Sequence, residues 1–127
     1  MSRSNARENV FKLVFEYVFN KEEDASLLAD IIDEMKDEES YIREIYSGVI
    51  SHYDELMGEI SKHSEAFSID RIYKVDLAIL LVSLYEIKYV DSIPSKVSIN
   101  EALNLAKAYS TEKSYKFING ILASVVK

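Results

Sequence analysis

The chain has no cysteine. Disulfides, thiolate metal sites and cysteine nucleophiles are therefore excluded, and the composition fits a reducing compartment. Proline occurs once and glycine three times, so breakers are scarce and long helices are favoured. Gly48, Gly58 and Gly120 stand isolated, which rules out a glycine-rich phosphate-cradling loop, and there is no Gly-x-Ser-x-Gly elbow. The two histidines, His52 and His63, are eleven residues apart. That is three helical turns, too far to share one metal, and both are expected to be exposed. The longest apolar run, Leu77 to Val82, falls far short of the ~20 residues that span a bilayer. The segment Met1 to Glu8 has no apolar stretch of the kind a signal peptide needs. These absences predict a soluble, cytoplasmic protein with no membrane association, no metal, no cofactor and no catalytic site. The many carboxylates fall on the polar faces of helices, where they are ordinarily just solvated.

What is present is ample for a core. The chain has 127 residues, of which 48% are hydrophobic. A domain of that size buries roughly two-thirds of its unfolded surface. The formal net charge is -7. Phosphate neutralisation dominates nucleic-acid affinity, so the acidic total argues against strong unaided binding. The charge is uneven, however. From Lys21 to Glu65 there are 14 acidic residues against 4 basic ones. The first dozen residues carry Arg3, Arg7 and Lys12 against Glu8, and the last stretch carries Lys107, Lys113, Lys116 and Lys127 against Glu112.

Hydrophobic periodicity predicts an all-α fold. A first helix is expected over about Asn5 to Phe19, with Val10, Leu13, Val14, Tyr17 and Val18 at three- and four-residue steps. A second spans about Ala25 to Lys36. A third keeps its apolar face for five turns from Ile42 to Ile60, with Ser40 as its N-cap. Asp76 to Tyr89 is apolar nearly all round, which marks a buried helix that the others surround. Pro94 lies in a loop. Ser98 and Glu101 read as a capping box opening a helix that runs to about Tyr109, and Ser114 is expected to cap the last helix. Gly120 inside that helix suggests close backbone packing. The nine tyrosines and five phenylalanines include potential base-stacking platforms, although most lie on apolar faces. Phe15 is off the main stripe of the first helix and within two turns of Arg7 and Lys12.

Six segments then narrow the reading. Pro94 to Ala102 reads P-S-K-V-S-I-N-E-A, and Ser114 to Leu122 reads S-Y-K-F-I-N-G-I-L. Upstream stand Asp70-Arg71, Asp76 to Leu80 and Tyr85-Glu86-Ile87, and near the start stands Ala6-Arg7-Glu8. In this order the segments resemble the NusB family. The resemblance covers essentially the whole chain, strongly from Asp70 onward and weakly over Lys21 to Lys36. It implies about seven helices in one domain (1–127), built of two helical subdomains, about 1–65 and 66–127, around a buried central helix. It also implies a non-catalytic, RNA-binding transcription antitermination factor. Such a factor pairs with the ribosomal protein NusE, binds single-stranded boxA-type RNA, and acts on RNA polymerase in ribosomal-RNA operons. Some members are homodimers that hide the RNA surface. The same fold resembles the N-terminal domain of a ribosomal-RNA methyltransferase, but no methyltransferase segment follows here, which favours the free-standing factor.

Carried over residue by residue, the resemblance places Arg3 and Arg7 as phosphate contacts and Phe15 as a stacking aromatic where tyrosine is usual. Asp70 and Asp76 become acceptors for base edges, with helix capping as the competing role. Lys113, Lys116 and Phe117 complete the RNA surface at the start of the last helix. Asn100, Glu101 and Asn119 read as structural, in caps and inter-helix hydrogen bonds. Leu77 and Leu81 stand where the family often has arginine. That departure predicts weak RNA binding by the chain alone, strengthened by a basic partner. The alternative is a helical protein-interaction module with weak or no RNA binding.

Overall fold

The computed structural model describes residues 2–64 and 68–127. Seven α-helices and two short 3-10 turns make up the described residues, with no strand among them. The helices are α1 (Ser2–Asn20), α2 (Ala25–Glu34), α3 (Glu39–Ser51), α4 (Tyr53–His63), α5 (Lys74–Tyr89), α6 (Ser95–Tyr109) and α7 (Glu112–Val125). The 3-10 turns are Lys36–Glu38 and Ile69–Arg71. The sequence reads Lys62 to Arg71 as a short polar segment, and it falls partly on residues 65–67, outside the described residues.

Helix α5 is the central rod. Every residue from Asp76 to Glu86 is buried, and α1, α3, α4, α6 and α7 all pack against it. A helix that is apolar all round cannot sit at a surface, so these five are arranged by the need to cover it. One continuous apolar cluster joins Val10, Leu13 and Val14 of α1 to Ile42, Ile45 and Val49 of α3 and to Leu80, Leu81 and Leu84 of α5. The same cluster takes in Ala102 and Ala106 of α6 and Ile118 and Leu122 of α7. The three polar residues buried within α5 are each partnered. Ser83 Oγ donates to the Ile79 carbonyl at 2.6 Å, while Asp76 accepts from Ser110, just past the end of α6, and Glu86 accepts from Arg7 of α1.

Several helix ends differ from the sequence expectation. The expected third helix is two helices, broken at His52, whose φ of -109° and ψ of 22° leave the helical region. His52 Nδ1 lies 3.0 Å from the Gly48 carbonyl, so a side chain competes for the backbone ladder at the kink. The apolar stripe continues through the break: Ile42, Ile45, Tyr46 and Val49 are buried before it, Leu56 and Ile60 after it. Ser40 is not a cap, because the 3-10 turn leads straight into α3 at Glu39. Helix α6 starts at Ser95, directly after Pro94, so Ser98 lies inside the helix and no capping box forms with Glu101. Thr111, not Ser114, caps α7: its hydroxyl accepts from the Ser114 N–H at 3.0 Å. Helix α1 begins at Ser2, earlier than expected, and ends where Lys21 turns to a φ of 60°. That left-handed residue stops the helix while its N–H still reaches the Tyr17 carbonyl at 2.8 Å. Helix α2 ends at Glu34 rather than Lys36.

Two further expectations are corrected. A Cβ built on Gly120 meets nothing within 4 Å, so this glycine is not a close-packing site. The tight position is Gly48, where a Cβ would lie 2.2 Å from Cζ of Tyr85. The histidines are half-buried rather than exposed. His52 stacks against Tyr89 with centroids 4.3 Å apart, and His63 Nδ1 lies 2.7 Å from Ser124 Oγ.

Candidate nucleic-acid interface

Helices α1 and α5 run antiparallel. Arg7 near the start of α1 meets Glu86 near the end of α5, and Phe19 at the end of α1 meets Lys74 at the start of α5. The two ends of this pair differ in chemistry.

At the Arg7 end lies a buried polar network. Arg7 Nε donates to Glu86 Oε2 at 2.8 Å and Arg7 Nη2 to Glu86 Oε1 at 3.2 Å. Ser98 Oγ donates to Glu86 Oε1 at 2.7 Å, and the Tyr41 hydroxyl donates to Glu86 Oε2. Glu101 adds a second carboxylate 3.4 Å from Arg7 Nη1, and accepts from Ser4 Oγ at 3.2 Å. Burial opposes the Arg7 charge, but the Glu86 hydrogen bond and coulombic attraction to the Tyr41 oxygen, Glu86 and Glu101 outweigh it and lift the pKa above the ordinary value. Burial first, and then the Glu86 charge, pushes the Tyr41 hydroxyl up, so it stays a donor. Arg7 is therefore not the free cation expected of an N-terminal arm: it is 4% exposed and its donors face carboxylates. Arg3 lies outside this network, with Nε 2.7 Å from Glu38 Oε1 and its guanidinium 4.3 Å from the Tyr41 ring centroid.

At the other end, about 18 Å along α1 from Arg7 at 1.5 Å per residue, the surface is aromatic and cationic. Phe11, Phe15 and Phe19 follow at four-residue steps, so they lie on one face of α1. Phe11 and Phe15 have centroids 6.5 Å apart, and Phe15 and Phe19 are 5.3 Å apart, edge to face. Phe11 is buried, Phe15 half-buried and Phe19 exposed, so the row runs from the core to the surface. Beside it, a cleft of about 200 Å³ opens between the start of α5 and the start of α7. Arg71, Tyr73, Asp76, Lys113 and Phe117 line it. Asp76 is buried there, and its Oδ1 accepts from Ser110 Oγ at 2.7 Å. This orients the carboxylate and makes the inter-helix hydrogen bond its observed role. Asp70 lies exposed in the 3-10 turn that leads into the cleft. Lys116 is exposed three residues beyond Lys113, on the same side of α7.

The structure therefore brings Phe15, Asp70, Asp76, Lys113, Lys116 and Phe117 towards one side, and sets Arg3 and Arg7 apart from them. Among the described residues, Arg71, Lys74, Lys113 and Lys116 have no carboxylate within ion-pair distance. On a chain of net charge -7, four uncompensated cations beside exposed rings form a surface suited to phosphates and bases rather than to a cation or a metal. The sequence reading missed Phe19, Arg71, Tyr73 and Lys74. The Phe11-Phe15-Phe19 spacing was a usable signal for the first, whereas Tyr73 and Lys74 become neighbours of α1 only through the α1–α5 pairing. Leu77 and Leu81 face the core, 5% and 0% exposed. Of the residues read as structural, Glu101 joins helices as expected. Asn100 and Asn119 lie exposed, with no side-chain hydrogen bond among the described residues.

A family model described as the NusB family matches residues 4–127. The transcription antitermination protein NusB of Agathobacter rectalis is 46% identical, over 97% of this chain and 98% of that protein. A crystal form of NusB from T. maritima superposes with a TM-score of 0.84 at 33% identity, covering 97% of this chain and 89% of that one. A crystal structure of antitermination factors NusB and NusE in complex with dsRNA superposes with a TM-score of 0.85 at 25% identity, covering 98% of this chain and 95% of its counterpart.

Proposed function

The chain belongs to the NusB family, and from that premise we propose that it is a transcription antitermination factor, not an enzyme, which binds single-stranded boxA-type RNA jointly with NusE. In this reading it acts on RNA polymerase in ribosomal-RNA operons and works in the cytoplasm. No helix among the described residues is long and apolar enough to cross a membrane. The observation that carries the RNA role is the cleft at the start of α5 and α7, where uncompensated cations flank exposed and half-exposed rings. Lysine and arginine neutralise phosphates, the rings stack bases, and Asp76 offers an acceptor already held in place by Ser110. The working surface is Phe15, Arg71, Asp76, Lys113, Lys116 and Phe117, with Asp70 at its entrance. Arg3, at the far end of α1, can meet only a more distant part of the strand by releasing Glu38, since an exposed ion pair is worth about 0–1 kcal/mol. Arg7 serves by holding α1 to α5 and α6.

The net charge of -7 keeps affinity low for RNA alone, so a basic partner that adds its own phosphate contacts makes a composite surface. The test is a titration of fluorescent boxA-type RNA with the protein, with and without NusE of the same host, at two salt concentrations. Salt-sensitive binding that tightens with NusE supports the reading. No RNA binding even with NusE bound overturns the RNA role and leaves a helical protein-interaction module.

A further inference from the structure

Resting on that RNA-binding reading, we infer that Phe19 and Tyr73, flanking Lys74, form a second base-stacking subsite that extends the cleft towards the end of α1. Phe19 and Tyr73 are 59% and 62% exposed, the highest values among the exposed large hydrophobic side chains described. Both are on the same side of the fold. Lys74 Nζ lies 5.4 Å from the Phe19 ring centroid, and Tyr73 lines the cleft that holds Asp76, Lys113 and Phe117. A cation against one ring and two rings offered to solvent is the arrangement that holds a nucleotide, with the base on the ring face and the phosphate on the ammonium.

The occupant is single-stranded nucleic acid rather than an apolar helix of a partner, and charge decides this. The cations around the two rings, Arg71, Lys74 and Lys113, have no carboxylate within ion-pair distance among the described residues. Elsewhere the exposed rings are tied to acids: Tyr89 donates to Glu55 and Tyr109 to Glu8. Among the described residues neither Phe19 nor Tyr73 is tied to a carboxylate; Lys74 sits over one side of the Phe19 ring, and the exposed remainder of both rings is open to a base. Phe15, 5.3 Å from Phe19, links this subsite to the half-buried rings behind it. A strand entering the cleft at Phe117 therefore meets a further stacking surface at Tyr73 and Phe19. Their flat faces make this subsite tolerant of base identity, while Asp76 supplies the discriminating acceptor.

The test uses the full chain with NusE and a nested series of boxA-type RNAs, lengthened one nucleotide at a time and carrying 2-aminopurine at the added end. With wild-type protein, one added nucleotide tightens binding and quenches the 2-aminopurine fluorescence. Phe19→Ala and Tyr73→Ala each weaken the longer RNA on the order of 5- to 100-fold, the range for loss of one stacked base. The same variants leave the shortest bound RNA and the melting temperature unchanged. Phe19→Leu, which keeps apolar area without a π-face, behaves like Phe19→Ala, and Tyr73→Phe behaves like wild type. Equal loss across all RNA lengths, or no loss at any, overturns the subsite while the RNA-binding reading stands. Weaker NusE binding by the alanine variants in the absence of RNA overturns it in favour of protein docking. No RNA binding by wild type with NusE removes the subsite together with the reading beneath it.

Discussion

Replacing Arg7 with alanine separates a structural arginine from an RNA-contacting one. Arg7 is 4% exposed and Glu86 0%, and two of their nitrogen–oxygen contacts are 2.8 and 3.2 Å. Removing the guanidinium leaves the Glu86 carboxylate buried, with Tyr41 and Ser98 as its remaining donors. Breaking a buried pair from one side costs about 3–5 kcal/mol, because the surviving charge is left uncompensated. Glu101 also loses its cation and keeps only the Ser4 hydroxyl, which places Arg7→Ala towards the upper part of that range. In urea, with a slope of about 2 kcal/mol per molar, the midpoint falls by roughly 2 M. The melting temperature falls by about 10–20 °C for a domain of this size. Glu86→Gln in the Arg7→Ala background removes the stranded charge and recovers part of the loss. The reasoning fails if Arg7→Ala melts within about 2 °C of wild type yet loses tenfold in RNA affinity, since the guanidinium would then be meeting phosphate rather than Glu86.

Other outcomes follow from the same packing. Gly48→Ala should destabilise by about 1–3 kcal/mol, because its Cβ would lie 2.2 Å from a Tyr85 ring that is itself packed on His52 and Tyr89; thermal melts check this. Gly120→Ala, with open space at its Cβ, should stabilise by about 0.5–1 kcal/mol in the same melts. The Tyr89 hydroxyl, followed by Lys88, holds the Glu55 carboxyl below the usual carboxylate range. A depressed carboxyl contributes stability that is present above its unfolded pKa of about 4.3 and lost as pH falls through the folded value. Tyr89→Phe should therefore raise the Glu55 pKa in an NMR titration and shrink the stability lost in acid. Four phosphate contacts on single-stranded RNA predict a slope of about -3 in log K against log salt, and Lys113→Ala should make it shallower by about 0.7.

The fold was legible because one segment had no polar face. Asp76 to Glu86 could only be a buried rod, and the amphipathic segments around it had one way to face it. What was not legible were decisions made by single side chains. The periodicity from Ile42 to Ile60 runs straight through the His52 kink, because one residue out of helical geometry shifts the stripe too little to show. Ser98 looks like a cap because Glu101 follows three residues later. The structure spends it on Glu86, twelve residues back on the neighbouring helix. The burial of Arg7 was hidden for the same reason. In sequence an arginine near a terminus is a free cation, and its partners Glu86 and Glu101 are invisible until α1, α5 and α6 pack. Lys113, Lys116 and Phe117 came from the resemblance carried by Ser114 to Leu122, and in the structure they fall within the first turns of α7.

The buried network and the exposed surface are mechanically one system, although they do not touch. Helix α1 is an uninterrupted 19-residue rod with no proline or glycine. Its start is pinned to α5 and α6 by Arg7, its middle by Val10, Leu13 and Val14, and its last turn carries Phe19. A rod held at one end and along its side sets the position of the other end. The antiparallel α1–α5 pairing then fixes Phe19 relative to Lys74, and α5 fixes Tyr73 and Asp76 relative to α7. Loosening Arg7 should therefore lower RNA affinity only through misplacement of Phe15 and Phe19. An Arg7 variant made more stable by Gly120→Ala, which acts on a different helix, should regain part of its RNA binding without regaining any cation. A lost phosphate contact could not be restored in that way.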